Sequence, residues 1–435
     1  MKTYQFAILV FALVFTAGTV SGNGQTCSPL TAGCLDPTFG TVGTQLIIQD
    51  GGYQHDVIVQ SDGRIVSLVD NSNTGATLIR LNTDGTLDGT FAGDGIVETN
   101  WHYSSVLPRG YPYGLAVQNI NGEERLVVAG SWTVPQGKNS AVTMLRVDRY
   151  LSNGAIDTSF GSGGTGTVLI NKPYALAVAI QPTDNKIITV GDGQAVVRLN
   201  ENGTIDTAFG PNGDGTTGAG QAGWSIKGLS DGSIIIGGSY SQNGSAVMCV
   251  TKLNANGSVF TSFGANGRAI ANFYGRGSFG RAFRVDVDPF GNVIAGGIAR
   301  PKNAAINENN FAAARFTSTG QLDTSFNGTG MVTYDFAGLN DNGRSIVAQL
   351  DGKLILTGAA QLSTADTADF ALLRLNFDGT VDTTFGMNGR VTTNIDREDY
   401  SNSSRLWLDS SCACEKIILA GISHTDPSFA RYMTQ

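Results

Sequence analysis

Apolar and polar residues follow a block of four short segments that recurs along the chain. In the clearest copy these segments are residues 344–349, 353–359, 370–376 and 389–395. The second segment is an almost unbroken apolar run, which is typical of a strand buried on both faces. Asp351-Gly352 and Asp378-Gly379 follow the first and third segments, and such pairs suit two-residue type I′ hairpins. The pattern predicts a unit of four antiparallel strands.

Each unit also contains the phrase Asp-x-x-Phe-Gly, or a close variant of it, before its fourth segment. Its phenylalanines are Phe39, Phe91, Phe160, Phe209, Phe263, Phe326 and Phe385. They stand 52, 69, 49, 54, 63 and 59 residues apart, which is the spacing of one supersecondary unit with loops of varying length. Inner strands buried between neighbouring sheets are typical of propellers. The sequence therefore predicts an all-β fold, a seven-bladed β-propeller with four antiparallel strands per blade, as a single domain over residues 23–435.

The last unit is incomplete, and the first phrase stands alone near the N-terminus. Residues 405–435 supply three strands, whereas residues 33–48 contain the missing phrase and a fourth strand. We therefore expect the N-terminal strand to complete the last blade as its outer strand.

The cysteines bear on this closure. Cys34 lies in the completing segment, and Cys412 and Cys414 lie in the first turn of the same unit. In an oxidising compartment, Cys27 and Cys34 are predicted to pair with Cys412 and Cys414, in an order that the sequence leaves open. The alternatives are a local Cys27–Cys34 bridge or no bridge. Cys249, in the third strand of the fourth unit, is predicted to be a buried free thiol.

The unit resembles the delta-60 repeat. The resemblance rests on the first hairpin, apolar-x-Gln-x-Asp-Gly-Lys-apolar, on the third strand, Leu-Leu-Arg-Leu-Asn, and on the phrase. It is clearest over 322–327 with 344–386, and over 65–95. It extends from about Gly33 onward, with Phe260 in place of the phrase aspartate as a departure. That family comprises tandem repeats found mainly in secreted or surface bacterial proteins. The resemblance implies a β-propeller and implies no particular reaction or ligand.

The N-terminus has the layout of a secretory signal peptide. Lys2 precedes an apolar run, Phe6 to Phe15, and small residues follow up to Gly22. The run is shorter than the roughly 20 residues that span a bilayer, which disfavours the alternative of an uncleaved anchor. Residues 1–22 are therefore predicted to be a signal peptide, and the protein to be secreted, with no membrane span after signal removal.

Charge and motifs exclude several classes of function. The net charge is −8 and the basic residues are scattered, which disfavours nucleic-acid binding. The three histidines lie in different units without metal-ligand spacing, and no nucleophile elbow or phosphate loop is found. We predict no catalytic residues, no metal site and no cofactor. One alternative is that Asn82, Asp84 and Asp88 bind calcium; the favoured interpretation is that the phrase aspartate caps a turn.

Ligand binding is expected on the face formed by the fourth-to-first and second-to-third connections. Aromatic and arginine residues concentrate there, and they could stack on sugars or grip a peptide. The candidate binding residues are Trp101, Tyr103, Arg109, Tyr111, Tyr113, Trp132, Tyr274 and Arg276. The alternative is that they form the internal core of a long loop.

The favoured function is a secreted, non-catalytic binding or adhesion propeller that recognises a glycan or an extracellular protein. A first alternative is a structural component of an extracellular assembly. A second is a secreted carbohydrate-active enzyme, whose two carboxylates would have to lie within roughly 5 to 10 Å of each other. Its candidate acids are Glu98, Asp192, Asp335 and Asp396.

Overall fold

The structure is a computed structural model. It describes residues 31–48, 52–71, 75–101, 108–137, 140–172, 174–191, 193, 195–218, 223–305, 308–364, 367–396 and 398–435. Within those residues the chain forms 28 β-strands and no α-helix. No helix there has the length and apolar character needed to cross a bilayer.

The strands fall into seven sets of four, which we call units 1 to 7. Unit 1 is β2 (Tyr53–Val59), β3 (Ile65–Asn71), β4 (Gly75–Leu81) and β5 (Ile96–Glu98); unit 2 is β6 (Arg109–Ile120), β7 (Glu123–Pro135), β8 (Ala141–Tyr150) and β9 (Thr167–Ile170). Unit 3 is β10 (Ala177–Ile180), β11 (Ile187–Val190), β12 (Ala195–Leu199) and β13 (Thr216–Gly218); unit 4 is β14 (Gly223–Gly228), β15 (Ile234–Gln242), β16 (Ser245–Leu253) and β17 (Arg268–Ala271). Unit 5 is β18 (Phe279–Val287), β19 (Val293–Arg300), β20 (Asn310–Phe316) and β21 (Met331–Tyr334); unit 6 is β22 (Asp341–Ala348), β23 (Leu354–Gln361), β24 (Ala368–Leu375) and β25 (Arg390–Thr393). Unit 7 is β26 (Asp399–Asp409), β27 (Cys414–Ser423), β28 (Asp426–Met433) and β1 (Thr44–Leu46).

Each unit is a four-stranded antiparallel sheet, as the sequence predicts, and in units 1 to 6 the strands follow one another in chain order. Units 4 and 5 are joined into one larger sheet by a single parallel bridge between Ala246 and Phe279. In unit 7 the outer strand comes from the other end of the chain, because β1 pairs with β28 and places Thr44 opposite Ala430.

The type I′ turn expected from the Asn-Gly and Asp-Gly pairs is present at Asn121-Gly122, where φ is 54° and 85°, but not at the first Asp-Gly pair of unit 1. In the first turn of unit 1, the N–H of Gly63 donates to the carbonyl of Gln60, and only Gly63 of the pair has a positive φ, of 85°. This is a type I turn followed by a left-handed residue, the three-residue hairpin loop. Asp62 instead uses its side chain, which accepts the N–H of Arg64 at 3.0 Å. The expectation of two-residue turns was therefore wrong for this hairpin.

The hydrophobic core lies between neighbouring units. The second strands are buried along their apolar runs, and the seven phrase phenylalanines are all 0 % exposed. Each core cluster joins strands of adjacent units; one joins Ile418 and Phe429 of unit 7 to Val57 and Ile65 of unit 1. The first strands contact one another in the order β2, β6, β10, β14, β18, β22 and β26, and β26 also contacts β2.

The phrase forms an arrangement that we call the Arg–Asp latch. In unit 2, Arg149 donates from Nε to Asp157 at 2.7 Å and from Nη1 to the carbonyl of Glu201 in unit 3 at 2.7 Å. Its guanidinium also lies 4.6 Å from the ring centroid of Phe160. Ser159 donates both its N–H and its hydroxyl to the other oxygen of Asp157. The latch therefore fixes the turn and ties it to the next unit.

Six units have this latch and one does not. The pairs are Arg80–Asp88, Arg149–Asp157, Arg198–Asp206, Arg315–Asp323, Arg374–Asp382 and Arg431–Asp36. In unit 4 both partners are replaced, and Lys252 lies 4.9 Å from the ring of Phe260. The turn-capping interpretation of the phrase aspartate is confirmed. In the described part of the chain, no group of three or more His, Cys, Asp or Glu side chains is placed to hold a metal ion.

Candidate functional site

Six first strands carry a β-bulge at the same place in their described residues. In β14, Gly223 pairs with Gly238 and Ser225 pairs with Gly237, so Trp224 has no partner across the ladder. A bulge re-aims its extra side chain out of the regular alternation. In unit 3, Leu176 takes this place immediately before β10 and donates its N–H to Val190. The bulged residues are His55, Tyr113, Trp224, Phe283, Arg344 and Asn402.

The six bulged residues and Leu176 line one cavity of about 280 Å³, which we call the bulge cavity. An adjoining cavity of about 90 Å³, the inner cavity, is lined by residues of all seven units. The bulge cavity lies just below the roughly 300 to 1,000 Å³ typical of small-molecule pockets. One repeated backbone irregularity thus brings seven different side chains to one place.

One side of the bulge cavity combines aromatic rings with guanidinium groups. Arg344 lies 4.6 Å from the ring centroid of Phe283, and Arg281 lies 4.7 Å from that of Trp224. The two rings meet edge to face at 5.8 Å. Burial and the charge of Arg344 lower the pKa of Arg281. A guanidinium on an aromatic face is stabilised by about 0.5 to 2 kcal/mol, so these contacts hold both arginines in place.

The opposite side of the cavity is aromatic and hydrogen-bonded. His55 Nε2 lies 3.0 Å from a carboxylate oxygen of Asp70, and its ring meets Tyr113 edge to face at 5.4 Å. Tyr111 stacks on Tyr113 at 6.4 Å. Burial raises the pKa of Tyr113 to about 12, so its phenol remains protonated at neutral pH. Asn402 donates to the carbonyl of Gln54 at 2.9 Å.

The lining of the inner cavity includes Asp56, whose ion-pair partner is Arg405, and the two arginines Arg284 and Arg344. Arg405 contacts Asp56 at 2.8 Å, and the hydroxyl of Ser403 donates to the same carboxylate at 2.8 Å. Arg284 lines the same cavity, yet no carboxylate in the described part of the chain lies within ion-pair distance of it. Burial, with the charge of Arg405, lowers the pKa of Arg284 to about 10. Arg284 therefore stays charged at neutral pH without a direct counter-ion.

The structure places only some of the predicted binding residues at or near the bulge cavity. Tyr113 lines the bulge cavity, and Tyr111 and Arg109 lie on the same strand, β6. Tyr274 and Arg276 are exposed on the connection after β17, and they do not line this cavity. Tyr103 lies outside the described residues.

Trp101 is corrected from a ligand contact to a core residue. Its side chain is 0 % exposed, and its ring packs edge to face on Trp132 at 6.3 Å. The guanidinium of Arg146 lies 4.5 Å from Trp101 and 4.4 Å from Trp132. Arg146 also forms a buried ion pair with Asp148 at 2.7 Å. The Arg–aromatic combination is present here, but it stabilises the connection internally.

The predicted link between the two ends through Cys412 and Cys414 is also corrected. Cys412 and Cys414 are bonded to each other across Ala413, whose φ of 52° lets the chain turn between them. Cys34 is disulfide-bonded as well, and Cys27 lies outside the described residues. The prediction for Cys249 is confirmed, since its thiol is free and buried.

Two carboxylates on the first strands near the cavities, Asp56 and Asp286, are engaged in ion pairs, whereas Asp341 and Asp399 on other first strands are fully buried and form no ion pair in the described part of the chain. Asp56 contacts Arg405, and Asp286 contacts Lys227 at 2.7 Å. Of the acids proposed for a carbohydrate-active enzyme, Glu98, Asp335 and Asp396 are exposed, and Asp192 lies outside the described residues.

The sequence interpretation missed Trp224, Phe283, Arg344 and Arg284. A local signal for two of them exists, since a large residue lies between small ones in Gly223-Trp224-Ser225 and Gly343-Arg344-Ser345. Small flanking residues fit the bulge because a Cβ on Gly343 would meet the carbonyl oxygen of Gly297 at 2.3 Å.

Comparison with known proteins supports the fold. A family profile described as a domain of unknown function (DUF5122) beta-propeller matches residues 60–91, 183–209, 229–263 and 349–385. Each match begins near the first turn of a unit and ends at its phrase phenylalanine. No curated protein matches the chain.

Solved structures give the same result. The WD40 β-propeller domain of Doa1 superposes with a TM-score of 0.51 at 10 % identity, over 90 % of this chain and 98 % of that one. An inactive variant of virginiamycin B lyase from Staphylococcus aureus, solved with quinupristin, gives 0.50 at 11 % identity over 90 % and 98 %. An ancestral GH74 enzyme gives 0.50 at 11 % identity, over 88 % of this chain and 48 % of that one. The chain is therefore a β-propeller repeat protein, and these likenesses concern the fold alone.

Proposed function

We propose that the chain is a closed, seven-bladed β-propeller and that it acts as a secreted, non-catalytic binding protein. Closure is supported by the contact of β26 with β2 and by the core cluster shared between units 7 and 1. Secretion is supported by the apolar N-terminal run and by the Cys412–Cys414 disulfide, since such bonds persist in oxidising compartments.

The observation that carries the binding proposal is the convergence of the bulged residues on one cavity. The same bulge recurs in six units, but its side chain differs in each. A packing role alone would be served by similar side chains at equivalent positions. Different aromatic, cationic and amide groups around one cavity are instead what recognition of an asymmetric ligand requires. The ligand is a glycan or a segment of an extracellular protein.

A binding role is favoured over a carbohydrate-active enzyme by the state of the carboxylates in and beside the two cavities, since the unpaired Asp341 and Asp399 line neither cavity. Asp56 and Asp286 are held by Arg405 and Lys227. An ion-paired carboxylate has a stabilised charged form and is a poor general acid.

The test is a screen of the secreted protein against glycan and extracellular-protein arrays, followed by affinity measurements on variants. Trp224→Ala and Tyr113→Ala are expected to weaken binding about tenfold or more, as truncation of a buried aromatic anchor does. Tyr274→Ala is the matched control, because Tyr274 is an exposed tyrosine outside the cavity. If Tyr274→Ala weakened binding and Trp224→Ala did not, the ligand would lie on the connecting loops and the proposed site would be wrong.

A further inference from the structure

The two cavities contain more positive than negative charge. Arg281, Arg284 and Arg344 lie in or beside them, and in the described part of the chain none of the three has a carboxylate within ion-pair distance. The two acids nearby, Asp56 and Asp286, are each matched by another basic residue. This excess stands out because the whole chain has a net charge of −8. The cavities therefore form a positive site within an acidic protein.

Two of these arginines are held with unused hydrogen-bond donors. The guanidinium groups of Arg344 and Arg281 lie 4.6 Å and 4.7 Å from the ring centroids of Phe283 and Trp224, which restricts their movement. The Nε of each is buried and has no hydrogen-bond partner in the described structure. The indole N–H of Trp224 is likewise unpartnered. Buried donors without partners are costly, and a bound acceptor would relieve that cost.

Three guanidinium groups without counter-ions match an anionic group, since Arg donates two parallel hydrogen bonds to a carboxylate or sulfate. The aromatic rings of Tyr113, Trp224 and Phe283 provide apolar surface beside those donors. A cavity of about 280 Å³ suits a single ring-sized group and not a folded partner.

We propose that the bulge cavity binds the acidic sugar of an extracellular glycan, with its carboxylate or sulfate directed toward Arg284, Arg281 and Arg344. This proposal rests on the binding function above and specifies the class of ligand. Arg344 lines both cavities and Arg284 lines the inner one, so these two contact the anion, and Arg281 beside Trp224 adds positive charge.

The positive site is tested first without any sugar, by quenching of Trp224 fluorescence. The signal of Trp224 is the difference between the wild type and Trp224→Phe, since the chain has four tryptophans. Iodide is expected to quench this signal more efficiently than neutral acrylamide, because the arginines concentrate anions beside the indole. Arg284→Met and Arg344→Met should each lower the Stern–Volmer quenching constant for iodide at least twofold. The quenching constant for acrylamide should stay unchanged in both variants. Arg276→Met, at an exposed arginine outside the cavity, is the matched control. An iodide constant equal in the wild type and both cavity variants overturns the anion site.

The ligand class is tested by calorimetric titration with glucuronate, galacturonate, glucose 6-sulfate and the neutral sugars glucose and galactose. At least one acidic sugar is expected to bind tenfold tighter than its neutral counterpart, with the preference lost in Arg344→Met. Equal affinity for neutral and acidic sugars would overturn the present inference and leave the proposed binding function standing. Binding of acidic peptides, with no binding of acidic sugars, would overturn the glycan assignment. If neither sugars nor peptides bound, the proposed function would fail together with this inference.

Discussion

Arg284 carries a partly buried positive charge, and no carboxylate in the described structure lies within ion-pair distance of it. Moving such a charge out of water is costly, which is why burial lowers its pKa to about 10. We expect Arg284→Met to raise the free energy of unfolding by about 1 to 3 kcal/mol. Urea unfolding at pH 7 measures this change. Arg405→Met, at the ion-pair partner of the cavity residue Asp56, is the control and should destabilise the protein, because it leaves Asp56 without that partner. Destabilisation by both variants would contradict the interpretation of Arg284.

Asp341 should make stability fall as pH rises. Burial, with the charge of Asp335, raises its pKa to about 7, although its carboxylate accepts the N–H of Phe336 at 2.8 Å. In the unfolded chain an aspartate titrates near pH 4, so the folded state binds the extra proton between these values. The contribution to stability is complete below about pH 4 and is lost as the pH rises through about 7.

The measurement is the free energy of unfolding at pH 5 and at pH 8 for the wild type and Asp341→Asn. Between these pH values the wild type should lose about 2 to 3 kcal/mol relative to the variant, whose amide does not titrate. Asp335→Asn, at the exposed neighbour, should keep most of the wild-type slope. Parallel pH profiles for the wild type and Asp341→Asn would show that the carboxyl does not titrate in this range.

The contrast between Trp101 and Trp224 shows what the sequence could predict at single positions. Both are aromatic residues close to an arginine, and the sequence favoured Trp101 because it lies in a long, distinctive connection. The structure buries Trp101 and directs Trp224 into the cavity. The difference depends on a bulge, which is a property of the pairing between strands and leaves only the weak signal of small flanking residues.

At the scale of the element, the latch can be tested against the unit that lacks it. Unit 5 joins Arg315 to Asp323 at 2.8 Å, whereas unit 4 has Lys252 and Phe260 at the equivalent positions. Asp323→Phe alone should cost about 3 to 5 kcal/mol, because it leaves Arg315 buried without its partner. Arg315→Lys alone should cost about 1 to 3 kcal/mol, since Lys cannot make the forked contacts.

The double variant reproduces unit 4 and should cost less than the sum of the two single variants by about 1 to 3 kcal/mol, measured by urea unfolding in a double-mutant cycle. Additive costs would mean that the pair in unit 4 is not an alternative latch.

Elements were predicted better than their turns. The four strands of unit 6, predicted at 344–349, 353–359, 370–376 and 389–395, appear as β22 to β25 with ends shifted by a few residues. Strands are predicted from the alternation of apolar and polar residues and from apolar runs, because these patterns show which side chains are buried. The turn type was wrong in the first hairpin of unit 1 because Asp-Gly is compatible with both a two-residue and a three-residue loop. Hydrogen bonding between the strands selects between them.

At the scale of the molecule, the first and last segments of the described chain meet within one sheet. Gly33 donates its N–H to Met433 at 2.8 Å, and Met433 donates to Cys34 at 2.9 Å. The carboxylate of Asp36 also forms ion pairs with Nε of Arg431 at 2.8 Å and with Nζ of Lys416 at 2.9 Å. The latch of unit 7 therefore joins the N-terminal and C-terminal segments of the described chain. The pattern of an incomplete last unit and a surplus first phrase predicted this pairing of β1. The cysteine pairing could not be predicted, because turns that share one face of a sheet do not fix the distances between sulfur atoms.

Unit 7 differs from the other units in that the chain is interrupted at its second turn. If the units are otherwise equivalent, a circular permutation can move this interruption to the second turn of another unit. We would join Gln435 directly to Asn23, so that residues 23–30 bridge the old ends, and open the chain between Asn256 and Gly257 in the second turn of unit 4. This permutant should fold with one unfolding transition and a melting temperature within about 5 °C of the parent, because it keeps every strand and both halves of each latch. The control opens the chain between Cys249 and Val250, inside the buried strand β16, and should not fold. Two separate transitions in the first permutant would show that the seven units do not form one closed ring.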